Sequence, residues 1–183
     1  MEAWLRVEHG EIDAALYHLL AFGNNMAPAM GEVAAIGEAT TRLRFRTETG
    51  PDGQRWKPSL RVQLQGGIDD QHPDGGGGRT LTKDGHLSGS ISANHGKDFA
   101  EWGMNRVYAA IHQFGGVIRP RSGGSLRFRL ANGAFVSAKS VSIPARPSLG
   151  VNDDDTDDIL DALERRIRTT NSAITGDLNA RRS

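Results

Sequence analysis

Residues 126–138 read LRFRLANGAFVSA and carry the clearest strand signal in the chain. Leucine and phenylalanine alternate with Arg127 and Arg129, which is the pattern of a strand that has one apolar and one polar face. An Asn-Gly pair at 132–133 then supplies a two-residue turn of the hairpin type, after which the alternation returns. We therefore predict a hairpin over residues 125–138.

Helical patterns lie on both sides of this hairpin. Apolar residues recur at helical spacing over residues 11–22, and a second helical pattern opens at Pro28 and extends to Phe45. Towards the C-terminus, the sequence NDDD at residues 152–155 predicts a helix cap followed by an acidic first turn. The predicted apolar face of this last helix consists of Ile159, Leu160, Leu163 and Ile167.

Proline and glycine mark the connections between these elements. The stretch GPDGQRWKP at residues 50–58 begins with a turn, and its Trp56 is expected to pack locally. Four consecutive glycines within residues 66–79 predict a mobile loop, because such a run is not held in one conformation without a partner. A final short strand is expected to end at Pro144 and Pro147, which lack the N–H that a strand ladder needs.

Together the elements predict an α+β fold. It has two N-terminal helices, a small and mostly antiparallel sheet with a protruding hairpin, and a C-terminal amphipathic helix packed on the sheet. A length of 183 residues favours one domain, which we place at residues 1–168. The polar composition after that point predicts a flexible tail over residues 169–183.

The composition argues against several classes of protein. Cysteine is absent, which excludes disulfide frameworks, thiol nucleophiles and cysteine-ligated zinc. The 22 basic residues are balanced by 22 acidic residues, which disfavours a globally basic nucleic-acid-binding protein. No apolar run reaches the ~20 residues of a membrane-spanning helix, and the N-terminus lacks a signal-peptide core, so we expect no membrane association.

Charge is distributed in two opposed blocks. Residues 119–146 hold six basic and no acidic residues (+6), whereas residues 153–164 hold seven acidic and no basic residues (−7). Such blocks suit a basic surface that docks on an acidic surface, either of an identical neighbour in a ring or of a different partner. The alternatives are that both blocks are solvated faces, or that Arg127 and Arg129 contact DNA phosphates in a lumen. The candidate interface residues are Arg119, Arg121, Arg127, Arg129, Arg146, Asp153, Asp154, Asp155, Asp157 and Asp158.

Patterns typical of catalysis or metal binding are weak. The histidines are His9, His18, His72, His86, His95 and His112, and no pair has the i, i+4 spacing of a zinc-binding helix. The acidic cluster lacks the glycine and terminal glutamate of a calcium loop, and the glycine run lacks the lysine of a phosphate-binding loop. His112, beside Gln113 in an apolar turn, leaves a hydrolase as the alternative to a buried structural histidine. We expect no catalytic activity, no metal and no cofactor.

Four stretches of the chain resemble, in the same order, elements of one known family. They are RFRTETGPDGQRWKP (44–58), LTKDGHLSGSIS (81–92), WGMNRVYAAIHQFGG (102–116) and IPARPSLGVNDDD (143–155), and a closing helix follows them. Their PDGxxW, LxxxGxL, YAxIHQxGG and PARPxLG elements resemble the virion morphogenesis or tail-completion family of Mu-type tailed phages.

This resemblance implies a structural virion protein of the neck, which acts in tail completion or head-to-tail joining and has no catalytic activity. Related neck and tail-terminator proteins assemble as rings, most often hexamers. The implied partners are further copies of the chain, the tail tube and head-connector proteins, with non-specific contact to DNA in the channel. Assembly would take place in the host cytoplasm. The rival from another class is a DNA-binding accessory protein that uses residues 119–146.

Several motif residues have expected structural roles. Tyr108, Ile111 and Phe114, at intervals of three, are expected to pack one face of a short helix against the sheet. The glycine pair 115–116 then lets the chain turn away. Arg146 is held in a backbone stiffened by proline, so we predict that the PARP sequence lies at a subunit contact or braces the sheet against the C-terminal helix. The motif residues with expected structural roles are Trp56, Tyr108, Ile111, His112, Phe114, Gly115, Gly116, Pro144 and Pro147.

Overall fold

A computed structural model of the chain describes residues 16, 19, 20, 23–64, 78–130 and 132–180, with side chains to residue 169. The helix predicted over residues 11–22 lies outside the described residues, apart from three leucines that are helical. The predicted mobile loop over residues 66–79 also lies outside them, except for residues 78 and 79, and so do His9, His18 and His72. No helix in the described part of the chain is long and apolar enough to span a membrane.

The described elements mix helices with short strands, which confirms the α+β class. The helices are α1 (Ala27–Thr47), α2 (Leu60–Leu64), α3 (Ala109–Phe114) and α4 (Asp153–Ala180), and a short 3-10 helix spans Ser88–Ser90. The strands are β1 (Ile91–His95), β2 (Ala100–Met104), β3 (Gly116–Ile118), β4 (Leu126–Arg129), β5 (Phe135–Ala138) and β6 (Val141–Ile143).

Helix α1 has the bounds that the sequence indicates. Pro28 lies in its first turn, where a backbone N–H would have no carbonyl partner within the helix, so proline costs no hydrogen bond there. The helix extends beyond Phe45. It ends where Glu48 adopts the left-handed conformation (φ 55°) and its N–H bonds the carbonyl of Arg44. The turn predicted within residues 50–58 follows directly.

Strands β1 and β2 form an antiparallel ladder that packs against α1. Two glycines in α1 make the close approach possible. A Cβ at Gly37 would lie 2.3 Å from the indole of Trp102, and a Cβ at Gly31 would lie 3.2 Å from the ring of His95. These glycines weaken the isolated helix, but they let the ladder lie against it.

The predicted hairpin is formed by β4 and β5, with Arg129 opposite Phe135. Its turn is longer than predicted. The N–H of Leu130 bonds the carbonyl of Ala134 at 2.8 Å, which leaves three residues in the loop, and Gly133 has φ 90°. This is a three-residue hairpin loop, in which a residue with positive φ follows the turn, so the two-residue turn was wrong.

The described strands form three separate two-stranded antiparallel ladders, β1–β2, β3–β6 and β4–β5, in place of one small sheet. Short strands such as β3 and β6, with three residues each, offer little edge for a third strand. Helix α4 packs against α1, so the prediction that it packs on the sheet was wrong. An ion pair between Arg166 Nε of α4 and Glu32 Oε1 of α1, at 3.7 Å, joins the two helices.

Helix α4 begins with a reciprocal cap. The Oδ1 atom of Asn152 accepts the N–H of Asp155 at 2.8 Å, and Asp155 Oδ2 accepts the N–H of Asn152 at 3.0 Å. This arrangement satisfies two N–H groups at the helix start and confirms the predicted cap. The buried side of the helix includes Asp155 and Ala162.

Two expectations about α4 need correction. Leu160 is 57% exposed, because five residues of helix place it about 140° around the axis from buried Asp155. The helix also continues to Ala180, beyond Thr169, where the sequence predicted its end. The division into a domain of residues 1–168 and a flexible tail of residues 169–183 stays a prediction.

The main apolar cluster lies between the end of α1 and the start of β1. The rings of Phe45 and Trp56 meet edge to face with centroids 5.3 Å apart. Leu87 and Ile91 are buried beside them. The cluster is completed by Ala109, with Leu81 and Met104 packed against it.

Candidate functional site

Three of the four sequence motifs meet at the segment PARPSLG, residues 144–150. Side chains from α1, from the turn after it and from α3 bond the backbone of this segment. We call the segment 144–150, together with Arg44, Trp56 and Gln113, the clasp. The parts of the clasp come from three of the four motifs: Arg44 and Trp56 from residues 44–58, Gln113 from residues 102–116, and the segment itself from residues 143–155.

Gln113 holds the centre of the segment. Its Oε1 atom accepts the N–H groups of Ser148 at 2.9 Å and Leu149 at 3.0 Å. Its Nε2 atom donates to the carbonyl of Leu149 at 2.9 Å. The side-chain amide thus replaces the partners that an adjacent strand would provide, which explains why an irregular segment is stable in a half-buried position.

Arg44 joins the clasp to both long helices. Its guanidinium is buried at the end of α1 and donates from Nη1 to the carbonyls of Ser148 at 3.1 Å and Gly150 at 2.7 Å. Its Nη2 atom bonds the carboxylate of Asp155, which is 6% exposed at the start of α4. The role of Arg44 was not predicted, because its partners Ser148, Gly150 and Asp155 lie about a hundred residues away and no local pattern points to them.

Trp56 extends the clasp beyond local packing. Its indole Nε1 donates to the carbonyl of Pro147 at 2.8 Å, while its ring remains in the apolar cluster. The ring packs against nearby Phe45, as expected, and a partner distant in sequence holds its polar end.

Arg146 is 5% exposed and bonds within the chain. Its Nε atom donates to the carbonyl of Lys57 at 2.6 Å, and its Nη2 atom donates to the carbonyl of Pro58 at 3.2 Å. Its backbone N–H bonds the carbonyl of His112 at 2.6 Å. The PARP sequence therefore braces residues 57–58 against α3, and not a sheet against the C-terminal helix.

Glycines allow the chain to pass close to the clasp. Gly115 has φ 71°, and a Cβ on it would lie 2.7 Å from the backbone nitrogen of Ala145. Gly150 has φ 155°, and a Cβ there would lie 2.6 Å from the ring of Pro51. Together with the positive φ of Gly116, this confirms that the glycine pair lets the chain turn at the end of α3.

The short helix α3 buries less than the sequence predicts. Tyr108 is 39% exposed and lies edge to face with the ring of His112. Phe114 is 79% exposed, so the prediction that it packs with Tyr108 and Ile111 on one covered face was wrong. Phe114 is the last residue of α3, and the chain turns at Gly115 (φ 71°) directly into β3.

His112 has an unusual environment. Burial lowers the pKa of its imidazole below the ordinary value, and the positive charge of Arg146 lowers it further. The Nδ1 atom has no hydrogen-bond partner among the described residues. His112, Tyr108 and His86 line a cavity of about 250 Å³. Within the described ranges, no group of three or more His, Asp and Glu side chains could hold a metal ion.

The structure divides the ten candidate interface residues into two groups. Arg146 and Asp155 are buried and form hydrogen bonds within the chain, so they are not part of the candidate docking surface. The other eight are exposed on the hairpin region and on the first turns of α4: Arg119, Arg121, Arg127, Arg129, Asp153, Asp154, Asp157 and Asp158.

Comparison with known proteins gives a consistent family. The model of the phage virion morphogenesis family matches residues 7–168. The chain is similar to "Putative capsid assembly protein G" of Escherichia phage Mu, with 34% identity over 138 residues, which covers 74% of this chain and 75% of the relative. It is also similar to "Mu-like prophage FluMu G protein 2" of Haemophilus influenzae, with 29% identity over 154 residues, or 84% of this chain and 87% of the relative. No solved structure matches significantly.

Proposed function

This chain belongs to the phage virion morphogenesis family, and we propose that it is a non-catalytic structural protein that forms a ring at the head–tail joint of a tailed phage. In this position it completes the tail and joins it to the head. The partners are further copies of the chain, the tail tube and the head connector. The observation that carries the proposal is the family match over residues 7–168, supported by the use that the structure makes of the motifs.

Several motif residues hold the chain together. The side-chain polar groups of Gln113, Trp56 and Arg146 form hydrogen bonds with backbone groups in or beside the clasp. Residues engaged in this way stabilise a shape and present no reactive group to a ligand. A structural protein that assembles with other proteins requires residues that stabilise its shape in this way.

The exposed charges support assembly from identical copies. The basic hairpin region and the acidic start of α4 belong to different elements, and both remain exposed after Arg146 and Asp155 are removed from the set. A contact between two different surfaces of identical chains is heterologous, and it generates a closed ring when the rotation between copies closes. Opposite charges on the two surfaces would set the orientation of each copy.

The direct test is deletion of the gene in the phage that encodes the chain. Electron microscopy of the lysate should show heads and tails that are not joined, and expression of the chain from a plasmid should restore joined particles. The mature virion should contain the chain on its long axis, at the joint between head and tail. Joined, infectious particles without the chain, or its absence from finished virions, would contradict the proposal.

A second candidate function is DNA binding by the basic segment, which the exposure of Arg127 and Arg129 on one hairpin face favours. It predicts duplex binding whose affinity falls steeply with salt, and a shallower salt dependence after both arginines are changed to alanine. If duplex binding is weak and its salt dependence is the same in the double alanine variant, DNA binding by this segment is excluded.

A further inference from the structure

The hairpin β4–β5 has two different faces. Leu126 and Phe128 are half-buried on the inner face, whereas Arg127, Arg129 and Phe135 alternate with the inner residues and point outward. Phe135 is 84% exposed, and the guanidinium of Arg129 lies 5.7 Å from the centre of its ring. We call Arg127, Arg129 and Phe135 the basic face. It has an apolar centre beside two positive charges.

Helix α4 presents the opposite combination. Exposed Leu160 lies between Asp157 and Glu164, at helical intervals of three and four, so the three side chains share one face. This face points away from Asp155 and Ala162, which form the buried side of the helix. We call Asp157, Leu160 and Glu164 the acidic face. It has an apolar centre between two negative charges, of which Glu164 also accepts a hydrogen bond from Arg168 Nη2 at 2.6 Å, so an arginine of the second copy would share this carboxylate with Arg168.

We propose that the basic face of one copy docks on the acidic face of a second copy, with the phenylalanine against the leucine and each arginine near a carboxylate. The proposal rests on the ring function proposed above and specifies the contact that builds the ring. Apolar side chains at the centre of such a contact supply most of its binding energy, and the surrounding charge pairs set orientation and exclude other partners.

The dimensions of the two faces are compatible. Arg127 and Arg129 are two residues apart on a strand, or about 7 Å. Asp157 and Glu164 are seven residues apart on a helix, or about 10.5 Å, with Leu160 between them. Arginine side chains are long enough to reach both carboxylates while the apolar centres meet.

A second copy explains both faces at once, which other occupants do not. DNA would use the arginines but would leave Leu160 and its carboxylates without a partner. An unrelated acidic protein would also leave the acidic face of α4 unexplained. Because every copy carries both faces, each copy can donate one contact and accept another, which is the requirement for a ring.

Charge reversal provides the test. The hairpin variant carries Arg127→Glu and Arg129→Glu, and the helix variant carries Asp157→Lys and Glu164→Lys. Native mass spectrometry and sedimentation should show that the wild-type chain forms oligomers, whose dissociation constant rises on the order of 100-fold or more in either variant. An equimolar mixture of the two variants should recover the oligomer, because each reversed face then meets a complementary one.

Two control variants keep the same change of charge at exposed sites elsewhere. Arg55→Glu with Lys97→Glu matches the hairpin variant, and Asp84→Lys with Asp98→Lys matches the helix variant. Both controls should assemble as the wild type does. Circular dichroism and thermal unfolding verify that all variants fold, and the uncharged changes Phe135→Ser and Leu160→Ser should weaken assembly in the same way.

Each contrary outcome has a defined meaning. Oligomers that persist in both reversed variants, or a mixture that does not recover, overturn the docking of these faces and leave the head–tail role standing. Intact oligomers with lost duplex binding in the hairpin variant identify DNA as the occupant and also overturn it. A wild-type chain that stays monomeric at all concentrations and in virions overturns the contact and the ring together.

Discussion

Arg44 and Asp155 form a buried ion pair that joins the end of α1 to the start of α4. Two charges removed from water are stable only when hydrogen bonds compensate for the lost hydration. Here the carbonyls of Ser148 and Gly150 accept from the same guanidinium, and the backbone of Asn152 donates to the carboxylate. The pair is therefore tied to the conformation of the clasp.

Replacement of Arg44 by alanine should destabilise the fold strongly. The change leaves the carboxylate of Asp155 buried without its counter-charge, and two carbonyls lose their donor, which should lower the free energy of unfolding by about 3–5 kcal/mol. Urea denaturation measures the loss. Arg46, exposed on the last turn of the same helix, is the matched control, and Arg46→Ala should change stability by less than about 0.5 kcal/mol. Equal effects of the two changes would show that the buried pair does not stabilise the fold.

His112 should make stability depend on pH. Its pKa is lowered in the folded chain, so below its ordinary value of about 6.5 the unfolded chain binds more protons than the folded one. The free energy of unfolding should therefore fall as the pH falls through this interval towards the folded pKa. Denaturation of the wild type and of His112→Gln at several pH values measures the difference.

The control for this pH dependence is His86→Gln, because His86 is exposed and lines the same cavity. That variant should keep the slope of the wild type, whereas His112→Gln should lose it. The same His112→Gln chain tests the hydrolase alternative. Loss of a measurable hydrolytic activity with the fold intact would favour that alternative over a structural histidine.

At the scale of elements, the α1 glycines decide how closely the β1–β2 ladder can pack. Gly37→Ala places a methyl group 2.3 Å from the Trp102 indole, which is half-buried and cannot move freely. The overpacking should cost about 1–3 kcal/mol, more than the gain of about 1 kcal/mol from better helix propensity. Thermal unfolding of the variant measures the net loss.

Gly31→Ala is the matched control in the same helix. Its new methyl group meets the ring of exposed His95 at 3.2 Å, and that ring can move aside. The helix-propensity gain should then be retained, so stability should stay constant or rise by up to about 1 kcal/mol. If Gly37→Ala is tolerated as well as Gly31→Ala, the ladder does not lie against α1 as described.

The sequence predicted the elements that depend on local signals. The alternation around Arg127 and Arg129 located the hairpin, and the Asn152 cap located the start of α4, since both patterns lie within a few residues. Interactions between distant residues escaped prediction. The bond between Arg44 and Asp155, the packing of α4 on α1 and the separation of the strands into three ladders all depend on partners far apart in the chain.

The candidate site shows the same division. The sequence identified two oppositely charged stretches as a candidate interface, which stays a prediction, but it did not show that Arg146 and Asp155 are buried while their neighbours are exposed. No pattern of charge distinguishes a solvated arginine from one that donates to backbone carbonyls, because the carbonyls belong to other segments. The exposed Phe135 and Leu160 became informative only when the fold showed which face each occupies.

At the scale of the whole molecule, the clasp joins the two long helices α1 and α4 to the short helix α3 and to the turn at residues 50–58. Segment 144–150 contacts the end of α1, the turn at residues 50–58 and α3, and leads directly into α4. Its irregular backbone is fixed by side chains that come from two other motifs, residues 44–58 and 102–116. Three of the four motifs are therefore parts of a single structural unit.

This view predicts that residues 169–183 can be removed without loss of the fold. Asp155, Ala162 and Arg166, which tie α4 to the rest of the molecule, precede residue 169. A chain that ends at Arg168 should lose less than about 1 kcal/mol, which corresponds to a fall in Tm of less than about 4 °C for a chain of this size. Because it keeps the acidic face of α4, it should also form the same oligomer.

A chain that ends at Asp161 is the control for this truncation. It loses buried Ala162 and the ion pair from Arg166 to Glu32, so its Tm should fall by more than about 4 °C. It also loses Glu164 and should assemble poorly even where it folds. If the chain ending at Arg168 behaves like this shorter one, residues 169–180 are a packed part of the domain, and the predicted boundary at 168 is wrong.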